Sequence, residues 1–439
     1  MRTAPLGAPS AALLIPAAVL VVLAATGTAV AGAAAAADSA ADRARRLHDE
    51  AIVVDTHLDV PYALEKKWAD LAVRGATPHF DLPRAREGGL TAPFFAIYVP
   101  AFYAETGGAA REALDLIDLV ARAIDGNAKE LRRAASTADI RQAKRDGKIA
   151  VLMGIEGGHA IEDSLGALRQ FYRLGVRYMT LTHVNSNHWA DSSGKFYVPG
   201  FDPAAFQLHH GLTDFGKAVV REMNRIGMMV DLSHVSDETI DAVLLTSRAP
   251  AFASHSSCRA LCDIPRNLTD DQIRRIAAKG GVVMVNISSY FLDQAVVDAA
   301  RADLPSIKER YEAIKRDLAS DPRKRDEAIG TLLDVLPRRT TSWTRAVDHI
   351  EHVIKVAGPD AVGLGTDFDG IEDPPEGLED VSKLPRIGAE LLRRGYASVI
   401  VRKVLGENFL RFFERVEAAS RSLTSEPPGT ARLEPSGTP

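Results

Sequence analysis

Cysteine is almost missing from this chain: Cys258 and Cys262 are the two present in 439 residues. That excludes a disulfide-built scaffold and a four-cysteine zinc site. The pair lies near His255, which suggests thiol chemistry, but two small buried thiols are the simpler reading. A surplus of positive charge is missing too. The formal net charge is -5, which leaves no basic footprint for nucleic acid. The polar tail from Ser425 to Pro439 lacks the hydrophobic end that a lipid-anchor signal requires. No internal repeat is evident beyond an alternation of short apolar runs with longer amphipathic ones.

What is there is globular. The hydrophobic share of 46% and charged share of 25% are those of a soluble protein with a large core. The length allows two ordinary domains or one α/β barrel with insertions. The N-terminus differs from the rest. Arg2 precedes an apolar stretch, Ala11 to Ala25, and Thr-Ala-Val-Ala-Gly at 28–32 offers a small-x-small cleavage site after Ala31. Residues 1–31 therefore read as a signal peptide, with an uncleaved anchor as the alternative because small apolar residues continue through Ala37. No cysteine near the cleavage region supports lipoprotein anchoring. The expectation is export to a periplasmic or extracellular space, a linker over 32–45, and membrane contact only if the leader stays on.

Eight runs rich in Val, Ile, Met and Phe follow: Ile52–Val54, Pro93–Val99, Ile149–Ile155, Tyr178–Thr182, Met228–Leu232, Ala251–Ser254, Val282–Ile287 and Ala361–Gly365. Helical patterns such as Ser164–Leu174, Leu212–Ile226 and Thr344–Val356 lie between them. This alternation predicts a (β/α)8 TIM-like barrel over 46–418. The charged stretch Leu292–Arg339 reads as a helical insertion between strands seven and eight, serving as a lid, a subunit contact or a solvated surface. Ile387–Val416 reads as two helices closing the barrel, and 419–439 as a disordered polar tail.

The chemistry gathers where the runs end. The first ends in His57 and Asp59, which in an extended segment share a face and could hold one ion. The bland alternative is a core histidine beside a helix cap. Yet the third run ends in Glu156, the fourth in His183, the fifth in His234, the sixth in His255 and the eighth in Asp367. In a parallel barrel all strand C-termini open on one face, so these residues converge, whereas core histidines would scatter. Such a nitrogen and oxygen donor set suits zinc or a similar divalent ion and exceeds what one structural ion needs. Two ions with Glu156 as the bridge would use His57, Asp59, His234 and His255. A water between them becomes a nucleophile near neutral pH, which points to hydrolysis.

These residues carry a resemblance. From about Ala51 to Val416 the chain resembles the membrane dipeptidase (renal dipeptidase) family of dinuclear zinc barrel hydrolases. The motifs are Asp-Thr-His-Leu-Asp-Val-Pro at 55–61, Gly-Ile-Glu-Gly at 154–157, Leu-Thr-His-Val-Asn at 181–185, Asp-Leu-Ser-His at 231–234, Ser-His-Ser-Ser at 254–257, Arg-Asn at 266–267, Gly-Thr-Asp-Phe-Asp-Gly at 365–370 and Gly-Leu-Glu-Asp-Val-Ser-Lys at 377–383. The resemblance implies that His57 and Asp59 bind one zinc, His234 and His255 the other, and Glu156 both. It implies that His183 holds the substrate carbonyl, Asp367 moves the proton, and Arg266 pairs with the free carboxylate of a small dipeptide. A homodimer is a further expectation. Asp369 competes with Asp367 for the acid role, and Arg266 could simply cap a turn. Asp55 is expected to orient the loop or a ligating histidine. His159, His188, His209 and His210 read as non-ligands, and Trp189 and Tyr290 as packing or pocket wall. Two other functions compete: a barrel amidase or lactonase on another small acyl substrate, and a catalytically silent binding homologue. Against the animal members of that family, the sequence is expected to depart in lacking the lipid-anchor tail and most of their cysteines and in carrying the Leu292–Arg339 insertion.

Overall fold

The computed structural model describes residues 42–433; the leader read over 1–31, the linker up to 41 and the tail from 434 lie outside it. Within that span the apolar runs form parallel strands: β1 (Val53–Leu58), β2 (Leu90–Tyr98), β3 (Leu131–Arg133), β4 (Ile149–Glu156), β5 (Val176–Thr180), β6 (Met229–Asp231), β7 (Val283–Val285) and β8 (Val362–Leu364). Seven of them make one curled sheet in the order β6-β5-β4-β2-β1-β8-β7, and β3 pairs with β4 off this path. Every ladder is parallel. This α/β architecture is consistent with a TIM-like barrel.

Both faces of the sheet are buried, so the strands carry no polar alternation, as expected where helices cover a parallel sheet. Alternate residues nevertheless part company. Val53, Phe95 and Met153 join the large cluster under the outer helices. Val54, Phe94 and Leu152 join a second cluster with Phe409, Phe412 and Phe413 of the C-terminal helix Asn408–Leu423. The spacing of those three phenylalanines puts them on one helical face. They pack against the early parts of the strands, with Phe94 and Phe409 5.3 Å apart edge-on and Phe252 and Phe412 at 4.9 Å. One end of the sheet's interior is thus filled with aromatic side chains, and the late ends of the strands remain for chemistry.

Several elements differ from the sequence expectation. The run Ala251–Ser254 forms no ladder. It meets β6 through Asp231 and Phe252 and β7 through Ala253 and Val283, as two isolated parallel bridges. Pro250 before it and the bend at 254–255 after it leave too few residues for a ladder. β3 was not expected, because Leu-Arg-Arg is no apolar run. The last helix continues to Leu423, past the boundary drawn at 418, and the Gly429 amide donates to Glu222 at 3.0 Å. Between β7 and β8 the chain forms helices over Gln294–Asp303, Lys308–Asp317 and Pro322–Leu333. Part of this stretch gathers into its own small apolar cluster with Val198. Among the described residues no helix is long and apolar enough to cross a membrane.

Candidate metal centre

β1 delivers the first donors. His57 lies inside the strand rather than beyond it, and Asp59 takes the N-cap position of the helix Val60–Lys66. Its side chain makes no capping bond; instead Asp59 Oδ2 lies 3.4 Å from His57 Nε2. Both the bland and the chemical reading of Asp59 are thus visible, and the carboxylate itself takes the chemical one. Glu156 closes β4. His183 and His234 sit three residues beyond β5 and β6, and Asp367 three beyond β8. His234 and Asp367 have φ of 67° and 66°. Left-handed backbone is uncommon for such residues and is tolerated where the surroundings fix it, typically at functional sites.

These side chains meet. Glu156 Oε2 is 3.6 Å from His57 Nε2, while its Oε1 is 3.0 Å from His234 Nε2 and 3.2 Å from His255 Nε2. Asp367 Oδ1 stands 4.0 Å from His57 Nε2. The His183 ring lies 4.4 Å from that of His234. Three sets of potential ligand atoms fall within 4.8 Å of one another: His57 with His255 and Asp367, Glu156 with His183 and His234, and His57 with Asp59 and Glu156. A cavity of about 500 Å³ opens on the cluster, lined also by Arg266, Lys195, Tyr290 and residues of the segment between β7 and β8.

The hydrogen bonds behind the rings decide which nitrogens face inward. The Tyr178 hydroxyl donates to the Thr56 carbonyl at 3.1 Å, so it accepts from His57 Nδ1 at 2.8 Å. Ser254 Oγ donates to Asp231 at 2.6 Å and accepts from His255 Nδ1 at 2.7 Å. Asp231 is pinned in turn by the Ser233 and Ser254 amides and the Thr180 hydroxyl. Both Nε2 atoms therefore present a lone pair to carboxylates, a repulsive arrangement unless a proton or a cation stands between. His57 Nε2 is buried with no hydrogen-bond partner. These observations fit the cluster to metal ions.

The charge balance agrees. Among protein groups alone, burial raises the Asp367 carboxyl to about 8; the neighbouring Asp59 and Glu156 add to the rise, and His57 and Asn286 oppose it. Burial likewise raises Asp59. Burial works against charge on His57, but Tyr178, Glu156 and Asp59 together hold its pKa well above the usual range. The histidines opposite behave otherwise: burial lowers His183 to about 4 and takes His234 and His255 well below the ordinary value. Carboxylates crowded enough to retain protons and imidazoles kept neutral are what a cation would reorganise.

The remaining expectations sort by contact. Arg266 is buried, donates to Ser256 Oγ at 2.8 Å and the His255 carbonyl at 3.1 Å, and keeps its Nε without a partner. Burial lowers its pKa to about 10, which leaves it charged. Asn286 donates to Asp367 Oδ2 at 2.8 Å. Asp369 instead accepts from the Thr77 hydroxyl at 2.6 Å and the His79 amide at 2.7 Å, tying a loop. Asp55 accepts from the Thr366 amide at 2.9 Å and so orients the loop before Asp367, not the His57 ring. His159 bonds the Val99 carbonyl, His188 pairs with Asp163 and His209 bonds the Asn187 carbonyl. Trp189 is fully buried, and both cysteines are free and buried. Tyr178, Ser254, Asp231 and Asn286 escaped the sequence reading. The sequence carries one trace of Tyr178, the glycine at 154 inside the apolar run Ile149–Ile155; in the structure a Cβ there would fall 2.0 Å from the Tyr178 ring, so that glycine makes room for it.

Against known proteins, the description "Membrane dipeptidase (Peptidase family M19)" matches residues 41–427. The structure is similar to the probable dipeptidase PvdM from Pseudomonas aeruginosa, with TM-score 0.71 and 25% identity over 87% of this chain and 99% of that one. It is similar to a metallopeptidase from Rhodobacter sphaeroides bound to a phosphinate mimic of the dipeptide L-Ala-D-Ala, with TM-score 0.67 and 27% identity over 84% and 100% of the two chains. Dipeptidase AC, a metallopeptidase of family M19, gives TM-score 0.67 and 28% identity over 83% and 98%.

Proposed function

The chain belongs to the membrane dipeptidase family, peptidase family M19, and is a metallopeptidase of the dipeptidase class; from that premise we propose a zinc-dependent hydrolysis of dipeptides at the strand ends. The observation that carries it is the posture of Glu156, whose Oε2 faces His57 while its Oε1 faces His234 and His255. His57 and Asp59 would hold one zinc, His234 and His255 the other, and Glu156 both. When bound, the ions supply Lewis acidity, polarising the scissile carbonyl and acidifying water.

The chain's own groups do the rest. Arg266, rigid against Ser256 and the His255 carbonyl, offers its free N–H edge to the substrate's carboxylate and sets the distance from that end to the scissile bond. This limits the substrate to two residues. His183, beside His234, steadies the carbonyl oxygen as charge develops on it. Asp367 takes the proton from the attacking water and passes it to the nitrogen as the C–N bond breaks; Asn286 holds the carboxylate for both transfers. With cations held at the centre, the Asp367 pKa would fall from its raised value, and the carboxylate would start the cycle ionised.

The sheet is read as a (β/α)8 barrel whose eighth stave is the bridging run 251–254, and Leu292–Arg339 as an insertion forming one wall of the cavity. The leader over 1–31 supports export, which N-terminal sequencing of the mature protein checks. The enzyme proposal is tested with purified protein: turnover of Ala-Ala should vanish on chelation, return with zinc, and accompany two zinc ions per chain. Turnover indifferent to the chelator sinks it.

A further inference from the structure

Arg266 is not the only cation facing the cavity. Lys195 lines the same 500 Å³ space as Glu156, His183 and Arg266, and also borders an adjoining cavity of about 700 Å³ under the helices Lys308–Asp317 and Pro322–Leu333. Its place is fixed by its loop. The Ser193 amide donates to the His234 carbonyl at 2.8 Å, the Gly194 amide to Ser192 Oγ at 3.0 Å, and Gly194 turns with φ of 80°. Lys195 therefore rides on the backbone of a metal-centre histidine.

Among the described residues Lys195 Nζ has neither a hydrogen bond nor an ion pair; it stands 5.6 Å from the centre of the Tyr197 ring. Burial lowers its pKa, and Asp326, beyond ion-pair distance, offsets this in part. Lys195 and Arg266 line the same cavity as His183, the residue proposed to hold the carbonyl. A dipeptide's terminal carboxylate satisfies one of them. An ammonium on the cavity wall with no carboxylate within ion-pair distance among the described residues is placed to meet an anion that arrives with the substrate.

We propose that Lys195 selects dipeptides bearing a carboxylate side chain, which it pairs with while Arg266 holds the terminal carboxylate. The inference rests on the dipeptidase reading above. Its test uses zinc-loaded full-length protein and two matched substrate pairs, Glu-Ala against Gln-Ala and Ala-Glu against Ala-Gln. In at least one pair kcat/KM should favour the acid by about tenfold or more, the scale of one charge-assisted hydrogen bond. That ratio should collapse toward one in Lys195→Met and persist in Lys195→Arg, with thermal melting confirming that both fold. Asp326→Asn should keep the ratio; if it erases it as fully as Lys195→Met, Lys195 serves a latch to the neighbouring helix and the proposal is overturned. Ratios near one in both pairs, or a preference that survives Lys195→Met, overturn it as well while leaving the dipeptidase reading intact. Failure to cleave any of the four while Ala-Ala is turned over overturns it too, and failure on Ala-Ala as well overturns both.

Discussion

The two sides of the centre are made of different chemistry. Around β1 and β8 stand carboxylates, Asp59 and Asp367, with one histidine whose outer nitrogen is held by a phenol. Around β5 and β6 stand histidines, His183, His234 and His255, and the buried acid behind them, Asp231, reaches His255 only through Ser254. Burial acts on both sides with opposite results: it lifts the acids toward their protonated form and drives the imidazoles toward their neutral one. The acid side sets one imidazole held toward its charged form, His57, among its carboxylates, whereas the histidine side turns imidazoles held neutral toward Glu156. The His57 and His255 rings meet across the divide with centroids 3.8 Å apart, and Glu156 gives one carboxylate oxygen to each side.

The largest effect should come from breaking that shared contact. Glu156→Gln keeps the size of the side chain but removes the charge common to both sides, so kcat/KM should fall by about 10⁴-fold, the upper end for one positioned group. Metal analysis should show less than two zinc ions per chain. Retention of both ions would mean that the two sides are independent.

A smaller pair of changes separates the sides. Tyr178→Phe frees the His57 ring, and Ser254→Ala frees that of His255; outer partners of this kind are worth about 10–100-fold in metal affinity. Competition with a graded chelator should show one weakened ion in each variant, and the double variant should lose both. If both variants weaken the same ion, the division into two sides is wrong.

The smallest effect concerns the claim that burial alone keeps an imidazole neutral. His349 is not part of the cluster, accepts from the Cys258 amide at 3.0 Å and reaches the Leu292 carbonyl at 3.0 Å, and burial is the largest cause that lowers its pKa to about 4. The unfolded chain binds that proton near pH 6.5, so the contribution to stability is complete above 6.5 and is lost as pH falls toward 4. Between pH 6.5 and 5.5 the loss is about 1 kcal/mol. Urea midpoints at the two pH values should show that slope reduced in His349→Gln. An unchanged slope would place the acid sensitivity elsewhere.

Much of this was legible in the sequence because a parallel barrel repeats a rule: the residue that follows an apolar run faces the same end as its counterparts. His57, Glu156, His234, His255 and Asp367 are brought together on that rule alone. It failed where local pattern and tertiary pairing part. Ala251–Ser254 looks like any other strand but bridges its neighbours at single points, and Leu131–Arg133 pairs with β4 without an apolar signature. Asp369 looked like a second acid, and only its bonds to Thr77 and His79 show it tying a loop.

The sequence by itself determined which donors the chain owns and that they share one end of the fold, since periodicity and strand ends are local properties. Only the tertiary structure decided how each donor is aimed. Tyr178 lies 121 positions from His57 and Thr366 lies 311 from Asp55, and no local pattern encodes a hydrogen bond across such separations. The same holds for Lys195, a loop lysine with no distinguishing pattern in the sequence, which packing alone places on the wall of the same cavity, with no ion pair among the described residues.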